Sequence, residues 1–275
     1  PLNYRHAFHA GNFADLVKHA ALLDLLARMN ARGGPLTVID THAGRGLYDL
    51  GGDEAQRSGE AAAGIGRLMQ AKDLPADFAP LRAAVQRLNG GPVTRRYPGS
   101  PWLIAEALRP GDSYLACELR DEEHRALQAA LKGQSGVRAV CADGYKAAAE
   151  QVPARGNALI LIDPPFERAD DYERIVETLS AVARRNRDAV ILVWLPLKDL
   201  ETFDSFLREA EDAGVGPLTV AEARMRPLRD PLKMNGCALV LANAPVGADA
   251  VLAAICQWTV TQLGENGQSR VWMAG

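Results

Sequence analysis

Residues 158–166 read Ala158-Leu159-Ile160-Leu161-Ile162-Asp163-Pro164-Pro165-Phe166. An unbroken apolar run of this length predicts a strand buried on both faces, as in a parallel sheet covered by helices. The acid that ends it would emerge at the carboxyl edge of that sheet, where ligands bind in open α/β folds. Two prolines then fix φ and remove two backbone donors, leaving carbonyl groups as acceptors. An aromatic ring closes the segment. These parts suit the exocyclic amine of a nucleic-acid base. The Asp163 carboxylate and the Pro164 carbonyl can accept its two N–H groups, while Phe166 stacks on the extruded ring. Asp-Pro and Pro-Pro are also ordinary turn dipeptides. Placement at the end of a fourth strand, three strands after a glycine turn, favours the chemical reading.

Working outward, Leu36–Asp40 is a short buried strand that ends in an acid. The turn Thr41-His42-Ala43-Gly44-Arg45-Gly46 follows it. Further strands are expected at Ser113–Glu118, Val137–Cys141, Ala189–Trp194, 218–224 and 237–243, with helices near 13–32, 121–133, 170–186, 198–213 and 248–263. Seven strands alternating with helices predict an α/β fold with a largely parallel sheet. The last two strands have only a short non-helical link, so they should pair antiparallel. In an uninterrupted nucleotide-binding fold the second-strand acid lies ~20 residues beyond the glycine turn. Here 78 residues separate Asp40 from Glu118. The excess predicts a helical subdomain at 53–97 inserted into a main domain of 1–52 and 98–275. Its position beside the turn makes it a candidate substrate-facing lobe; a plain helical hairpin is the alternative.

The chain has 275 residues, 48% of them apolar, enough for a substantial core. No apolar run approaches the ~18 residues of a membrane span, and the N-terminus lacks the apolar stretch of a signal peptide. Cys117, Cys141, Cys237 and Cys256 lie far apart with no metal-like spacing, so reduced thiols, no metal site and a cytoplasmic location are expected. A net charge of −3 counts against a generic polyanion binder but leaves room for a local basic patch. The better phosphate-binding candidate is the group Arg224, Arg226, Arg229 and Lys233 on a linker between strands. Arg184, Arg185 and Arg187 read as a solvated helix end.

The glycine turn lacks the full G-x-G-x-x-G pattern, which argues against a dinucleotide oxidoreductase. Glu118, ending the second strand, is a natural acceptor for a ribose diol. Asp143-Gly144 suits an adenine amine, and Asp143 is equally a helix N-cap. Ser100 before Pro101 also reads as an N-cap. The N-terminal block Tyr4-Arg5-His6-Ala7-Phe8-His9-Ala10-Gly11-Asn12 is dense in aromatic and basic groups. It fits either base stacking with phosphate contacts or a strap over a core edge.

That block, together with Ala14-Asp15, Lys18-His19, Asp40-Thr41-His42-Ala43-Gly44, Tyr97-Pro98-Gly99-Ser100-Pro101, Ala142-Asp143-Gly144 and Ile162-Asp163-Pro164-Pro165-Phe166, resembles the RlmJ family of 23S ribosomal RNA adenine-N6 methyltransferases. The resemblance runs through essentially the whole chain, and the N-terminal block is its most specific part. It implies a seven-stranded Rossmann-like fold that uses S-adenosyl-L-methionine and carries a small inserted helical subdomain. The implied substrate is protein-free 23S rRNA, with no membrane and no obligate protein partner. His19, His42, Ser100, Glu118, Asp143, Gly144 and Asp163 would contact the cofactor. Asp163, with Pro164 and Phe166, would form the catalytic end. Tyr4, with Arg5 and His6, would face the RNA. One departure is Phe166, where the family pattern has tyrosine; the stacking face is kept and a hydroxyl is lost. Two rival readings are a DNA adenine methyltransferase and a non-catalytic RNA-binding protein of the same fold.

Overall fold

The computed structural model describes residues 5–275. Helix α1 (Phe13–Ala31) leads into β1 (Leu36–Asp40) and the three-residue β2 (Leu47–Asp49). Next come α2 (Asp53–Ser58), a π-helical turn at Ala62–Gly66, α3 (Arg67–Gln70) and α4 (Ala79–Asn89). The chain returns through β3 (Arg96–Pro98), α5 (Ser100–Ala107), β4 (Ser113–Cys117), α6 (Asp121–Ala130), β5 (Val137–Val140) and α7 (Gly144–Gln151). The second half comprises β6 (Asn157–Ile162), α8 (Asp171–Arg185), β7 (Val190–Leu197), α9 (Leu200–Asp212), β8 (Leu218–Arg224), β9 (Gly236–Ala242), α10 (Ala248–Leu263) and β10 (Gln268–Ala274).

The main sheet runs β5-β4-β1-β6-β7-β9-β8-β10. Its first five strands are parallel; β9 is antiparallel to both β7 and β8. This is a Rossmann-like sheet, with strand order reversing between β1 and β6. The expected seven strands are present, and the count is corrected to eight by β10, which lies antiparallel on β8 at the sheet edge. Its residues Gln268–Ala274 are exposed or half-buried throughout, so the short apolar stretch at 271–274 does not stand out as a buried strand. A separate two-stranded pair, β2 with β3, closes the neck of the insertion. Strand β7 also outruns its expected end at Trp194. Beyond Val193 it pairs only with β9, so Pro196 is tolerated where one side of the ladder is open.

The apolar run of β6 divides between two cores. Leu159 and Leu161 pack on the side of α1 and α10, and Ala158, Ile160 and Ile162 on the side of α8 and α9, following the period of two. Helix α1 is apolar nearly all round and mostly buried, as expected of a helix enclosed by other elements. Asn12 caps it, its side chain accepting from Asp15 N at 3.1 Å. The insertion shares this core, since Phe78, Leu81 and Val85 join Leu22 and Trp258, with the Phe78 and Trp258 rings 5.0 Å apart. Among the described residues, no helix is long and apolar enough to cross a membrane.

Candidate active site

At the carboxyl ends of the parallel strands lies a cleft of about 480 Å³, within the size range of small-molecule sites. One wall comes from the strand tips and the other from the N-terminal segment and α1. His19, His42, Ser100, Glu118, Asp143, Gly144, Asp163, Pro164 and Phe166 all line it, as do Arg5 and His6. Tyr4 lies outside the described residues.

A chain of buried charge runs along the α1 wall. His6 Nε2 is 2.9 Å from Asp15 Oδ2, which also accepts from Gly11 N at 2.9 Å. Lys18 Nζ is 3.2 Å from Asp15 Oδ1 and donates to Asp163 Oδ2 at 2.5 Å. Burial alone would raise the Asp15 pKa, but His6, Lys18 and His19 outweigh it and hold the carboxyl well below its usual range. Asp163, at the tip of β6, therefore faces the cleft with one oxygen held by the lysine. Lys18 and Asp15 were not singled out as site residues from sequence. The available signal was charge at positions 15 and 18, one helical turn apart, on a helix otherwise apolar enough to be enclosed; buried charges are rare unless paired.

His19 Nδ1 lies 2.7 Å from the Tyr97 hydroxyl, and burial, helped by Lys18, lowers the histidine pKa to about 3. His42 Nδ1 is 2.7 Å from Thr41 Oγ1 and its ring meets Tyr145 edge-on at 4.7 Å. Burial lowers its pKa to about 4. Both imidazoles are consequently neutral at pH 7.

Ser100 corrects one expectation. Gly99, not Ser100, occupies the N-cap of α5, and Ser100 Oγ donates instead to Asp40 Oδ2 at 2.9 Å. The Tyr114 hydroxyl donates to the same oxygen at 2.9 Å. A buried carboxylate is a stronger acceptor than the options a serine finds at its own helix end. Burial raises the Asp40 pKa to about 6 in spite of these two bonds, and its Oδ1 has no hydrogen-bond partner among the described residues.

Glu118 Oε2 accepts from Gly44 N at 3.0 Å and Oε1 from Arg120 N at 2.8 Å, tying the tips of β1 and β4 together. Gly44 has φ 70°, the left-handed region that favours glycine. Asp143 is the N-cap of α7, accepting from Tyr145 N at 3.0 Å, and its other oxygen pairs with Arg174 at 2.7 Å. Gly144 is required by proximity, since a Cβ there would stand 1.8 Å from the Thr41 carbonyl oxygen. Phe166 has φ 53°, unusual for a side chain of its size. Its ring lies 5.0 Å from Tyr172 and 6.1 Å from Trp194. Trp194, Pro196, Lys198 and Met234 continue the lining toward β9.

No residue of 53–97 is among the described residues lining the cleft. The insertion braces the N-terminal wall instead. Glu60 accepts from Asn12 Nδ2 at 3.2 Å and meets His9 Nδ1 at 3.0 Å, while Ile65 N donates to Gly11 O at 2.8 Å. Glu54 pairs with Arg5 at 3.1 Å.

Residues 33–274 match the family described as "Ribosomal RNA large subunit methyltransferase D, RlmJ". The chain is 31% identical over 263 residues to the "Ribosomal RNA large subunit methyltransferase J" of Escherichia coli, covering 95% of this chain and 94% of that protein. It is 32% identical over 246 residues to the protein of that name from Haemophilus influenzae, covering 89% and 88%. Protein LPL1258 from Legionella pneumophila has a crystal structure that superposes with a TM-score of 0.88 at 26% identity, covering 97% of this chain and 99% of that one.

Proposed function

Because the chain belongs to the RlmJ family of large-subunit ribosomal RNA methyltransferases, we propose that it methylates N6 of an adenine in 23S rRNA, using S-adenosyl-L-methionine. The observation that carries this reading is Asp163, set at a strand tip on the cleft with Oδ2 held by Lys18 and followed directly by Pro164-Pro165-Phe166.

The lining fits the cofactor in its donor and acceptor chemistry. Glu118 offers remaining lone pairs to a ribose diol, and Asp143 with Gly144 lies at the next strand tip, where an adenine edge would sit. His19, His42 and Ser100, which line the same cleft, would complete the cradle. When bound, S-adenosyl-L-methionine supplies an electrophilic methyl group. Burial keeps His19 and His42 uncharged, so neither sets a cation against a positively charged ligand.

On the substrate side, Lys18 fixes the orientation of the Asp163 carboxylate and leaves Oδ1 to accept one N6 hydrogen. The Pro164 carbonyl accepts the other. Together they favour a more tetrahedral nitrogen whose lone pair is available for in-line attack. Phe166 supports the ring by stacking, and Arg5, His6 and Tyr4 belong to the RNA side. Positioning of this kind supplies much of the rate enhancement. Afterwards Asp163 or solvent takes the N6 proton.

The test is transfer of labelled methyl to protein-free 23S rRNA, followed by mass spectrometry of the nucleosides. N6-methyladenosine is expected from the unaltered protein and none from Asp163→Ala, which should still bind the cofactor. Near-normal turnover by Asp163→Ala would overturn the assignment of that residue. Absence of any RNA methylation by the unaltered protein would overturn the function.

A further inference from the structure

The cations around the cleft fall into two classes. On the β4 and β5 side each is committed to a carboxylate: Arg45 to Glu123 at 2.6 Å, Arg120 to Glu167 at 2.5 Å and Arg174 to Asp143 at 2.7 Å. Arg168 likewise pairs with Asp170 at 2.9 Å. On the β7 and β9 side, Lys198, Arg226 and Arg229 are exposed, and among the described residues no carboxylate lies within ion-pairing distance of them. Arg224 does not belong with them, because it turns in to the buried Glu222 at 2.6 Å.

These three side chains stand on loops that are stitched together. The buried Asn235 donates from Nδ2 to Lys198 O at 3.0 Å and to Asp230 O at 2.8 Å, and its backbone N donates to Leu197 O at 2.8 Å. Lys198 and Met234 on these segments reach the cleft beside Trp194, which contacts Phe166. The same β8–β9 loop holds Leu232 89% exposed. Unpaired cations on braced backbone, with an apolar side chain among them, match a ligand that presents phosphates and base faces together.

We propose that the β7–α9 and β8–β9 loops grip the RNA backbone, with Lys198, Arg226 and Arg229 each neutralising a phosphate of nucleotides flanking the target adenine. This surface rests on the RNA reading above. It admits the strand from the Phe166 side of the cleft, leaving the ion-paired β4 and β5 side to the cofactor.

The experiment compares the unaltered protein with the triple variant Lys198→Ala/Arg226→Ala/Arg229→Ala, using a fluorescent single-stranded RNA containing adenine and the matching duplex DNA. Binding is read by anisotropy across a salt series. Each lost phosphate contact reduces the slope of log affinity against log salt by about 0.7 for single strands, so three contacts predict a slope shallower by about 2. The KM for RNA should rise at least tenfold, while kcat at saturating RNA and cofactor affinity stay within about twofold. Arg184→Ala/Arg187→Ala, exposed at the opposite edge of the sheet, should change nothing. An unchanged slope in the triple variant overturns the surface. Loop-dependent binding that favours duplex DNA overturns RNA as its occupant. Because binding is read without turnover, a protein that grips RNA through these loops yet methylates none of it would defeat the function reading alone.

Discussion

Replacing Lys18 with methionine keeps most of the side-chain volume and removes one buried cation shared by two carboxylates. The ammonium lies 3.2 Å from Asp15 and 2.5 Å from Asp163, with the lysine side chain 8% exposed. Attraction to each carboxylate is about 4 kcal/mol at ~4 Å in an effective dielectric near 20. That gain is opposed by several kcal/mol for dehydrating the ammonium. Removal leaves Asp15 with the His6 ring as its side-chain partner and Asp163 with no paired cation among the described residues. Breaking a buried pair this way costs about 3–5 kcal/mol. Asp163 keeps some contact with water, so the lower end applies, about 3 kcal/mol. For a domain of this size that lowers Tm by about 5–10 °C. Thermal unfolding at pH 7 measures it. The deficit should shrink as pH falls. Asp15 has a depressed folded pKa, so its contribution is full above the unfolded value near 4 and is lost as pH drops through the folded one. The double variant Lys18→Met/Asp163→Asn should recover part of the loss by removing one uncompensated charge. A Tm for Lys18→Met within about 1 °C of the unaltered protein at pH 7 would refute the argument.

Asp40 has the opposite sign. Its folded pKa is raised to about 6, so the native state binds more protons than the unfolded chain between about pH 4 and 6, and stability falls as pH rises through that window. Asp40→Asn should remove this dependence, gaining up to about 3 kcal/mol relative to the unaltered protein between pH 4 and 7 in urea titrations; an unaltered slope would count against it. Phe166→Tyr should retain turnover, whereas Phe166→Ala should lose the ~1–3 kcal/mol of base stacking, seen as a fall in kcat/KM for RNA of about 5- to 150-fold. Equal activity of the two variants would remove the stacking role. Gly144→Ala must displace the Thr41 carbonyl, and cofactor titration should show binding lost, with a Tm drop; normal affinity would show that the loop can yield.

Those parts of the fold with one dominant physical cause were legible in the sequence. The β6 run could hardly be anything but a strand buried on both faces, and Asp163 after it had to emerge at the sheet edge. The separation of Asp40 from Glu118 likewise exceeded what an uninterrupted fold needs, and α2, α3 and α4 occupy the excess. What stayed hidden depends on partners distant in sequence. β10 offers only the short apolar stretch 271–274, none of it fully buried, and its pairing with β8 is what makes it a strand. Ser100 satisfied the local rule for an N-cap but met a stronger acceptor 60 residues away. Lys18 acquires its meaning from Asp163, 145 residues later, a contact no helical periodicity can announce. For residues 53–97 the sequence left open a substrate-facing lobe or a plain helical hairpin; the segment packs on α1 and α10 because its own apolar face needs cover.

The net charge of −3 counted against an RNA partner, but that sum does not describe the surface such a partner would meet. Among the described residues Asp15, Asp40, Asp112, Asp171 and Glu222 are buried, against one buried cation, Lys18. The formal totals of 34 acids and 31 cations therefore leave 29 acids and 30 cations toward the surface. Several of those cations are spent inward, Arg109 on Asp112, and Arg224 and Arg270 on Glu222. A polyanion responds to the local field, which decays within ~8 Å at physiological salt, and not to the sum over the chain. Lys198, which lines the cleft, and Arg226 and Arg229 on the adjoining β8–β9 loop, all uncommitted among the described residues, are therefore a better guide to the partner than the composition. By the same logic, adding one carboxylate near them, as in Leu232→Asp, should weaken RNA binding more than the same charge placed beside Arg184, although net charge changes equally. Equal losses from the two substitutions would mean that the overall field, and not this surface, governs the encounter.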